Sequence, residues 1–323
     1  MMTGLIRRLG MLMALVLAIP AQAAPLAAQH VTITTLSTML ADHGIGEWGY
    51  AALVEVDGHR LLFDTGAHAD VVLRNAQTLG IDLASVEDVV ISHDHNDHTG
   101  GLIALRRAMM AKNPRALSHL HVATGIAETR FDAAGAADTD FAALEQAYRA
   151  TGGVVIEHAS AAQLAPGVWF SGPVARTHDE RNFPDDVFVR QAGGLVVDPV
   201  AEDASLVIAT ADGTVILTGC GHAGIMNIAD AAQAIDGDAR LLAVVGGLHL
   251  FAKPDAVLAA TAVRLKGLRY LLAAHCTGIE ATWRLRGLLG LDRHSAVVAA
   301  VGSRFVWGGT GAGAGIEPGR IAG

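Results

Sequence analysis

The chain alternates between two hydrophobic periods. Short apolar runs, several rich in β-branched residues, fall at 31–38, Ala51–Val56, His59–Phe63, 89–91, 120–124, 154–157, Val168–Phe170, Ser205–Thr210, Gly213–Thr218, 241–245, 270–274, 296–300 and 305–307. Each has the length and composition of a strand. Between them, segments with apolar residues three and four apart predict helices at 70–79, Leu102–Met110, 141–150, 223–235, 255–265 and 279–289. Gly80 and the pair Gly152-Gly153 stop two of these helices. Asp57-Gly58 and Ala211-Asp212 read as tight turns joining paired strands. Strands alternating with helices imply an α/β body, and no linker divides it.

The polar residues that break this pattern are concentrated at strand exits. The run 89–91 empties into Ser92-His93-Asp94-His95-Asn96-Asp97-His98-Thr99-Gly100-Gly101. Imidazole and carboxylate are the donors of a hydrolytic zinc site. A tight loop turns His93 and His95 toward one point and Asp97 and His98 toward another. Two metals about 3.5–4 Å apart at those points would hold a bridging hydroxide between them. Asp94 and Asn96 then face away. The bland alternative is a polar helix entry in which His93 and Asp94 only cap the helix.

Later strands end in the same way. Gly213–Thr218 runs into Gly219-Cys220-Gly221-His222, where glycines allow the sharp turn that exposes a histidine ring. The run 241–245 reaches Gly246-Gly247-Leu248-His249, and 270–274 delivers His275-Cys276-Thr277-Gly278. His222 is a candidate ligand, with helix capping as its plain alternative. His178, in the charged loop 171–186, is a candidate to complete the first metal's set, to contact substrate, or to lie on a lid. Arg176 and Arg181 in that loop suit an anionic substrate, or are simply solvated. His119 and His121 share a His-x-His spacing but lack a following Asp-His, and read as strand-face residues. Trp48 and Tyr50 belong either to a loop over the site or to the core.

His93, His95, Asp97 and His98 resemble the metal motif of the metallo-β-lactamase-fold hydrolases. Leu62-Phe63-Asp64-Thr65-Gly66, the stretch Leu217-Thr218-Gly219-Cys220-Gly221-His222-Ala223-Gly224-Ile225, Gly246-Gly247-Leu248-His249-Leu250 and His275-Cys276-Thr277-Gly278 narrow the likeness. They resemble the branch named for 7,8-dihydropterin-6-yl-methyl-4-(β-D-ribofuranosyl)aminobenzene 5'-phosphate synthase. The resemblance spans residues 31–307. It implies a four-layer αββα sandwich, two mixed sheets flanked by helices, with the site along one edge. It implies that His93, His95 and His222 hold one metal, and that Asp97, His98 and His275 hold the other. Asp64 would support the metal loop without binding metal. His249 would lie near substrate as a general acid, so that Asp97 and His249 are the catalytic pair. His178, Arg176 and Cys220 would contact substrate or support the ligands. Ala175 departs from a proline usual in the branch, so the loop match is partial.

Composition adjusts this reading. Arg7 and Arg8, an apolar stretch over 9–19, Pro20 and Ala21-Gln22-Ala23 predict a secretory signal peptide at 1–23, too short in its apolar core for a membrane span. The domain then occupies 24–307, and 308–323 reads as a mobile Gly- and Ala-rich tail. The expected location is periplasmic or secreted, with no membrane association after cleavage. Lys and Arg number 23 against 32 Asp and Glu, and loss of Arg7 and Arg8 deepens the deficit. An acidic chain without basic runs is not a nucleic-acid binder. Its two cysteines, Cys220 and Cys276, each adjoin a site motif; they bridge, line the pocket, or serve as small buried apolar residues.

The expected activity is hydrolysis of a small-molecule ester, lactone, amide or phosphoester by two zinc ions per chain. Iron and manganese are compatible with the same donors. A dihydropterin-linked synthase activity is the first alternative, disfavoured by the leader. A metal-binding sensor without catalysis is the second, disfavoured by the intact ligand set.

Overall fold

The computed structural model describes residues 27–308 and 313–319. The expected signal peptide lies outside them. Among the described residues no helix is long and apolar enough to cross a membrane.

One sheet of eight strands begins with three antiparallel neighbours, His30–Ser37, Ala51–Val56 and His59–Phe63. The last two are joined at Asp57-Gly58, both with positive φ. Three further strands, Asp88–Val90, His119–Ala123 and Val154–His158, then add in parallel. Parallel addition needs crossovers, supplied by the helices Val71–Thr78, Leu102–Met110 and Asp140–Ala150. On the other edge, Arg304–Gly308 pairs with His30–Ser37 and carries Ala314–Glu317 beyond it.

The second sheet has seven strands. Ala162–Ala165, Val168–Phe170, Ser205–Thr210 and Gly213–Thr218 are antiparallel; Leu241–Gly246, Tyr270–Ala273 and Ala296–Val298 follow in parallel. Its helices are Ile225–Asp236, Asp255–Arg264 and Ile279–Leu288.

Strand alternation explains the layering. Leu61 and Phe63 face inward to meet Leu206, Ile208 and Leu217 between the sheets, while Leu62 faces outward to Val72 and Leu105. In the second sheet Val215 and Leu217 point inward, and Ile216 meets Ile228 and Leu258 outside. Each such side chain contributes about 1.5–3 kcal/mol through burial. The result is helix, sheet, sheet, helix, the sandwich the sequence implies.

Two expectations are corrected. The tail is not featureless from residue 308, because Ala314–Glu317 pairs with Arg304–Gly308 and the Tyr270 hydroxyl donates to the Ala314 carbonyl at 2.7 Å. A small third sheet, ordered Gly194–Val197, Phe188–Gln191, Arg130–Phe131 and Ala137–Asp138, also forms where the hydrophobic pattern gives no strand. These segments are short and largely solvent-facing, so they carry little apolar periodicity.

Candidate metal centre

The strand Asp88–Val90 delivers the metal loop, and His95 enters a single helical turn over Asn96–Thr99. Backbone bonds clamp this turn to its neighbours. Thr65 N donates to the His98 carbonyl at 2.7 Å, and Tyr50 N to the Asp97 carbonyl at 3.1 Å. The approach is so close that a Cβ on Gly101 would stand 2.2 Å from the Thr65 carbonyl oxygen.

Behind the loop, Asp64 is fully buried with φ +57°. Its carboxylate accepts from Ser92 N and Ser92 Oγ, both at 2.8 Å, and from His98 Nδ1 at 2.7 Å. Ser92 Oγ in turn lies 2.9 Å from His93 Nδ1. His222 Nδ1 is held by the Asn182 carbonyl. In all three histidines the Nδ1 atom is therefore occupied, which orients Nε2 inward. His93 Nε2, His222 Nε2 and both ring nitrogens of His275 are buried without a hydrogen-bond partner among the described residues. Buried polar atoms left unpaired are costly, so convergent ring nitrogens of this kind fit a cation.

The convergence is tight. The His93 ring centroid lies 4.6 Å from those of His95 and His222 and 4.2 Å from that of His98. His95 and His222 are 4.8 Å apart, and His98 and His275 are 5.1 Å apart. One donor atom each from Asp97, His98, Cys220 and His275 lie within 4.8 Å of one another, as do those of His93, Cys220 and His222, and those of His93, His95 and Asp97. His275 Nε2 stands 3.1 Å from Asp97 Oδ2.

The electrostatics of His93, His222 and Asp97 suit ligation. Burial and the neighbouring imidazoles push His93 and His222 well below the usual histidine range, which favours the neutral ligand form. Burial opposes charge on Asp97, but His98 and His275 outweigh it and hold that carboxyl well below its ordinary value. Burial also opposes charge on His98; the Asp64 and Asp97 carboxylates win and raise it to about 9.

The remaining candidates divide. His249 joins the cluster, its ring 4.7 Å from that of His222, with φ +49°. Trp48 is half exposed and packs on His275 at 4.8 Å, so it forms part of the mouth, with Phe251 5.8 Å away; Tyr50 is core. His178 does not enter the site. Its Nε2 pairs with Asp230 Oδ2 at 2.8 Å on the helix Ile225–Asp236. Arg176 is not presented to substrate either. Its guanidinium donates to the carbonyls of His222, Pro199 and Val200, and so braces the His222 loop. Arg181 pairs with Asp185 at the surface.

Sequence reasoning undervalued Cys220. Its Sγ is 3.2 Å from His98 Nε2 and 3.2 Å from Cys276 Sγ, and it belongs to both histidine groups. Both cysteines are free thiols. Glu47 was also missed. Buried beneath the loop, it accepts from Ser37 Oγ at 2.6 Å and from His68 N at 3.0 Å. Nothing in its Gly- and Trp-flanked setting signals that contact.

Beside His95 opens a cleft of about 330 Å³, walled by Asp94, Glu128, Asp138, Asp140, Phe141 and Asp198. Arg130 at its base is already engaged by Asp94 and Asp198, each at 3.1 Å, and by Glu202 at 2.6 Å.

The family model described as anti-Pycsar protein Apyc1 matches residues 34–132. The 7,8-dihydropterin-6-methyl-4-(β-D-ribofuranosyl)-aminobenzene-5'-phosphate synthase of Methanocaldococcus jannaschii is 28% identical over 265 residues, covering 78% of this chain and 89% of that protein. The solved structure of Tm1679, a metal-dependent hydrolase of the β-lactamase superfamily, superposes with a TM-score of 0.65 at 27% identity, covering 80% of this chain and 93% of that one. The chain belongs to the metallo-β-lactamase-fold superfamily. This metallo-β-lactamase-fold enzyme is hydrolase-like and has the donors for divalent metal. YhfI of Bacillus subtilis shares the fold at 14% identity and a TM-score of 0.52, covering 86% of this chain and 99% of that one.

Proposed function

We propose that this protein is a hydrolase of small-molecule esters, lactones, amides or phosphoesters that works with two zinc ions and is exported by its signal peptide. The observation that supports the reading is the set of buried, unpaired ring nitrogens of His93, His222 and His275 converging beside Asp97 and Cys220. His93, His95 and His222 would hold one ion, Asp97, His98 and His275 the other, with Cys220 Sγ within reach of both. When bound, two such ions supply an acidified water as nucleophile and polarise the scissile oxygen.

The chain's own residues do the rest. Asp64, Ser92 and the Asn182 carbonyl fix the imidazole orientations. His249, whose ring packs beside that of His222, would pass a proton to the leaving group. Trp48 and Phe251 wall the entrance with apolar surface. Within the substrate classes, the acidic cleft with its already saturated arginine favours neutral or cationic substituents over a phosphate-bearing one.

The test is metal content by mass spectrometry on wild type, His95→Ala and His222→Ala, with the same samples assayed on p-nitrophenyl phosphate, bis-p-nitrophenyl phosphate, a lactone and nitrocefin. The reading expects about two zinc ions per chain in the catalytic centre, with metal and turnover reduced together in both variants. Undiminished metal in His222→Ala would remove that ligand from the set. Full metal without turnover on any substrate would favour a sensor. No turnover on this panel but turnover when a dihydropterin substrate is assayed beside it would favour the synthase activity of the M. jannaschii relative. Export predicts a protein from the periplasmic fraction that begins at Ala24.

A further inference from the structure

Cys220 and Cys276 follow the strands Gly213–Thr218 and Tyr270–Ala273, which pair with opposite edges of Leu241–Gly246. Strands two places apart in a sheet are about 9–10 Å from each other, too far for two cysteine side chains to touch. The loops at the strand exits close that gap. Gly247 N donates to the Gly219 carbonyl at 3.0 Å, and Ala274 N to the Gly246 carbonyl at 2.9 Å. Thr277 Oγ1 accepts from Leu248 N at 3.0 Å and donates to the Gly246 carbonyl at 3.2 Å, which pins the turn carrying Cys276 to the same exit. Gly247 lies between the two cysteines. A Cβ there would stand 2.8 Å from Cys276 Sγ and 3.3 Å from Cys220 Cα. The side chain that glycine lacks is the space in which the thiols meet. Cys276 Sγ lies 3.2 Å from Cys220 Sγ and 3.6 Å from the Cys220 carbonyl oxygen.

We infer that Cys220 and Cys276 are a redox pair, closed to a disulfide by a peroxide and reopened by a thiol reductant, and that closure withdraws Cys220 Sγ from the metal centre. Both thiols are free and buried, and they touch sulfur to sulfur. Side-chain rotation brings such a pair to the disulfide length of about 2.05 Å. The step balances. One thiol takes an oxygen from hydrogen peroxide, breaking the O–O bond, to become a sulfenic acid, and one water leaves. The other thiol attacks the sulfenic sulfur, and a second water leaves. Two thiols together lose two electrons and two protons.

The route and the consequence both run through the metal centre. Cys220 Sγ is 3.2 Å from His98 Nε2 and shares a donor group with Asp97, whose side chain is 20% exposed, so an oxidant as small as peroxide reaches it there. A cysteine thiolate binds zinc, whereas a disulfide sulfur carries no charge to offer it. Cys220 belongs to the donor groups on both sides of the centre. Its capture by Cys276 therefore loosens the hold on both ions, and a zinc ion on Cys220 in turn shields the pair from oxidation. The effect on zinc rests on the two-ion reading; the disulfide itself does not.

The test compares the full chain with Cys276→Ser, which keeps the Cys220 thiol. Both are stripped with chelator, treated with hydrogen peroxide, and read for free thiols and intact mass under denaturing conditions, before and after dithiothreitol. Wild type should lose both thiols and about 2 Da, the two hydrogens given up in forming a disulfide, and recover both on reduction. Parallel samples are titrated with Zn²⁺. Oxidised wild type should bind zinc about tenfold or more weakly, with binding restored by dithiothreitol, while unoxidised Cys276→Ser should match reduced wild type. Thiols that persist, or a mass that rises by whole oxygen atoms, would overturn the pair. A disulfide that leaves zinc affinity unchanged would overturn the switch. So would weak zinc binding in unoxidised Cys276→Ser, which would trace the loss to Cys276 itself. Reduced wild type that takes up no zinc would bring down the two-ion reading and the switch with it, while the thiol count still decides the disulfide.

Discussion

Asp64 is the residue on which the ligand geometry turns. Held at φ +57°, it spends three acceptor interactions on Ser92 and His98 and none on substrate. Asp64→Ala should leave His98 free to rotate and weaken zinc binding about 10–100-fold, as loss of such partners typically does. A competition titration against a chromogenic chelator measures this, and unchanged affinity would refute the role. Gly219 tests the same region sterically. A Cβ there would stand 2.1 Å from Ser92 Oγ and 2.7 Å from Asp64 Oδ2. Gly219→Ala should cost about 1–3 kcal/mol by overpacking, read as a lower denaturant midpoint. At this scale the motif histidines were legible because strand exits ending in Gly and His are local. Partners distant in sequence were not. The mate of His178 is Asp230, 52 positions on, and nothing near either residue announces the pairing. Arg176 likewise reads as a free charge until its carbonyl partners at 199, 200 and 222 are seen.

Among the elements, the long strands and helices follow the hydrophobic period closely because each buries one face against a defined layer. The helix Leu102–Met110 and the hairpin Ala51–Val56 with His59–Phe63 stand where the pattern puts them. The small sheet over 130–138 and 188–197 escapes notice because it buries little, yet it walls the cleft beside His95 through Asp138 and its neighbour Asp198. On the proposed hydrolase reading, this element and the Trp48 loop set substrate choice, because they line the cleft beside His95 and the mouth beside His275. Trp48→Ala removes an aromatic wall worth about 0.5–1.5 kcal/mol. It should raise KM by about 2–10-fold with zinc content unchanged. A loss confined to kcat would contradict a binding role.

For the whole molecule, the buried quartet around Arg130 ties the small sheet to the body. One guanidinium faces Asp94, Asp198 and Glu202. Burial pushes Glu202 up to about 8, against the pull of Arg130 and with the repulsion of Asp94 and Asp198. A carboxyl with a raised folded-state pKa binds its proton more tightly when folded. Its stabilising contribution is thus complete below the unfolded value near 4.5 and lost as pH rises through about 8. Glu202→Gln should flatten that decline, giving a smaller drop in melting temperature between pH 6 and pH 9 than wild type. An identical drop would mean that Glu202 is ionised throughout.

The sheet that carries the metal loop is extended by the pairing of His30–Ser37 with Arg304–Gly308, and His275 N donates to Thr38 Oγ1 across 237 positions. A ribosome therefore releases His93, His95 and His98 long before Cys220, His222 or His275 exists. During that interval the growing chain can offer a metal only the ligands of one loop. On the proposed two-ion reading, the full ligand set exists only once the last of these strands has been made, so a filled centre would mark a chain already synthesised past His275.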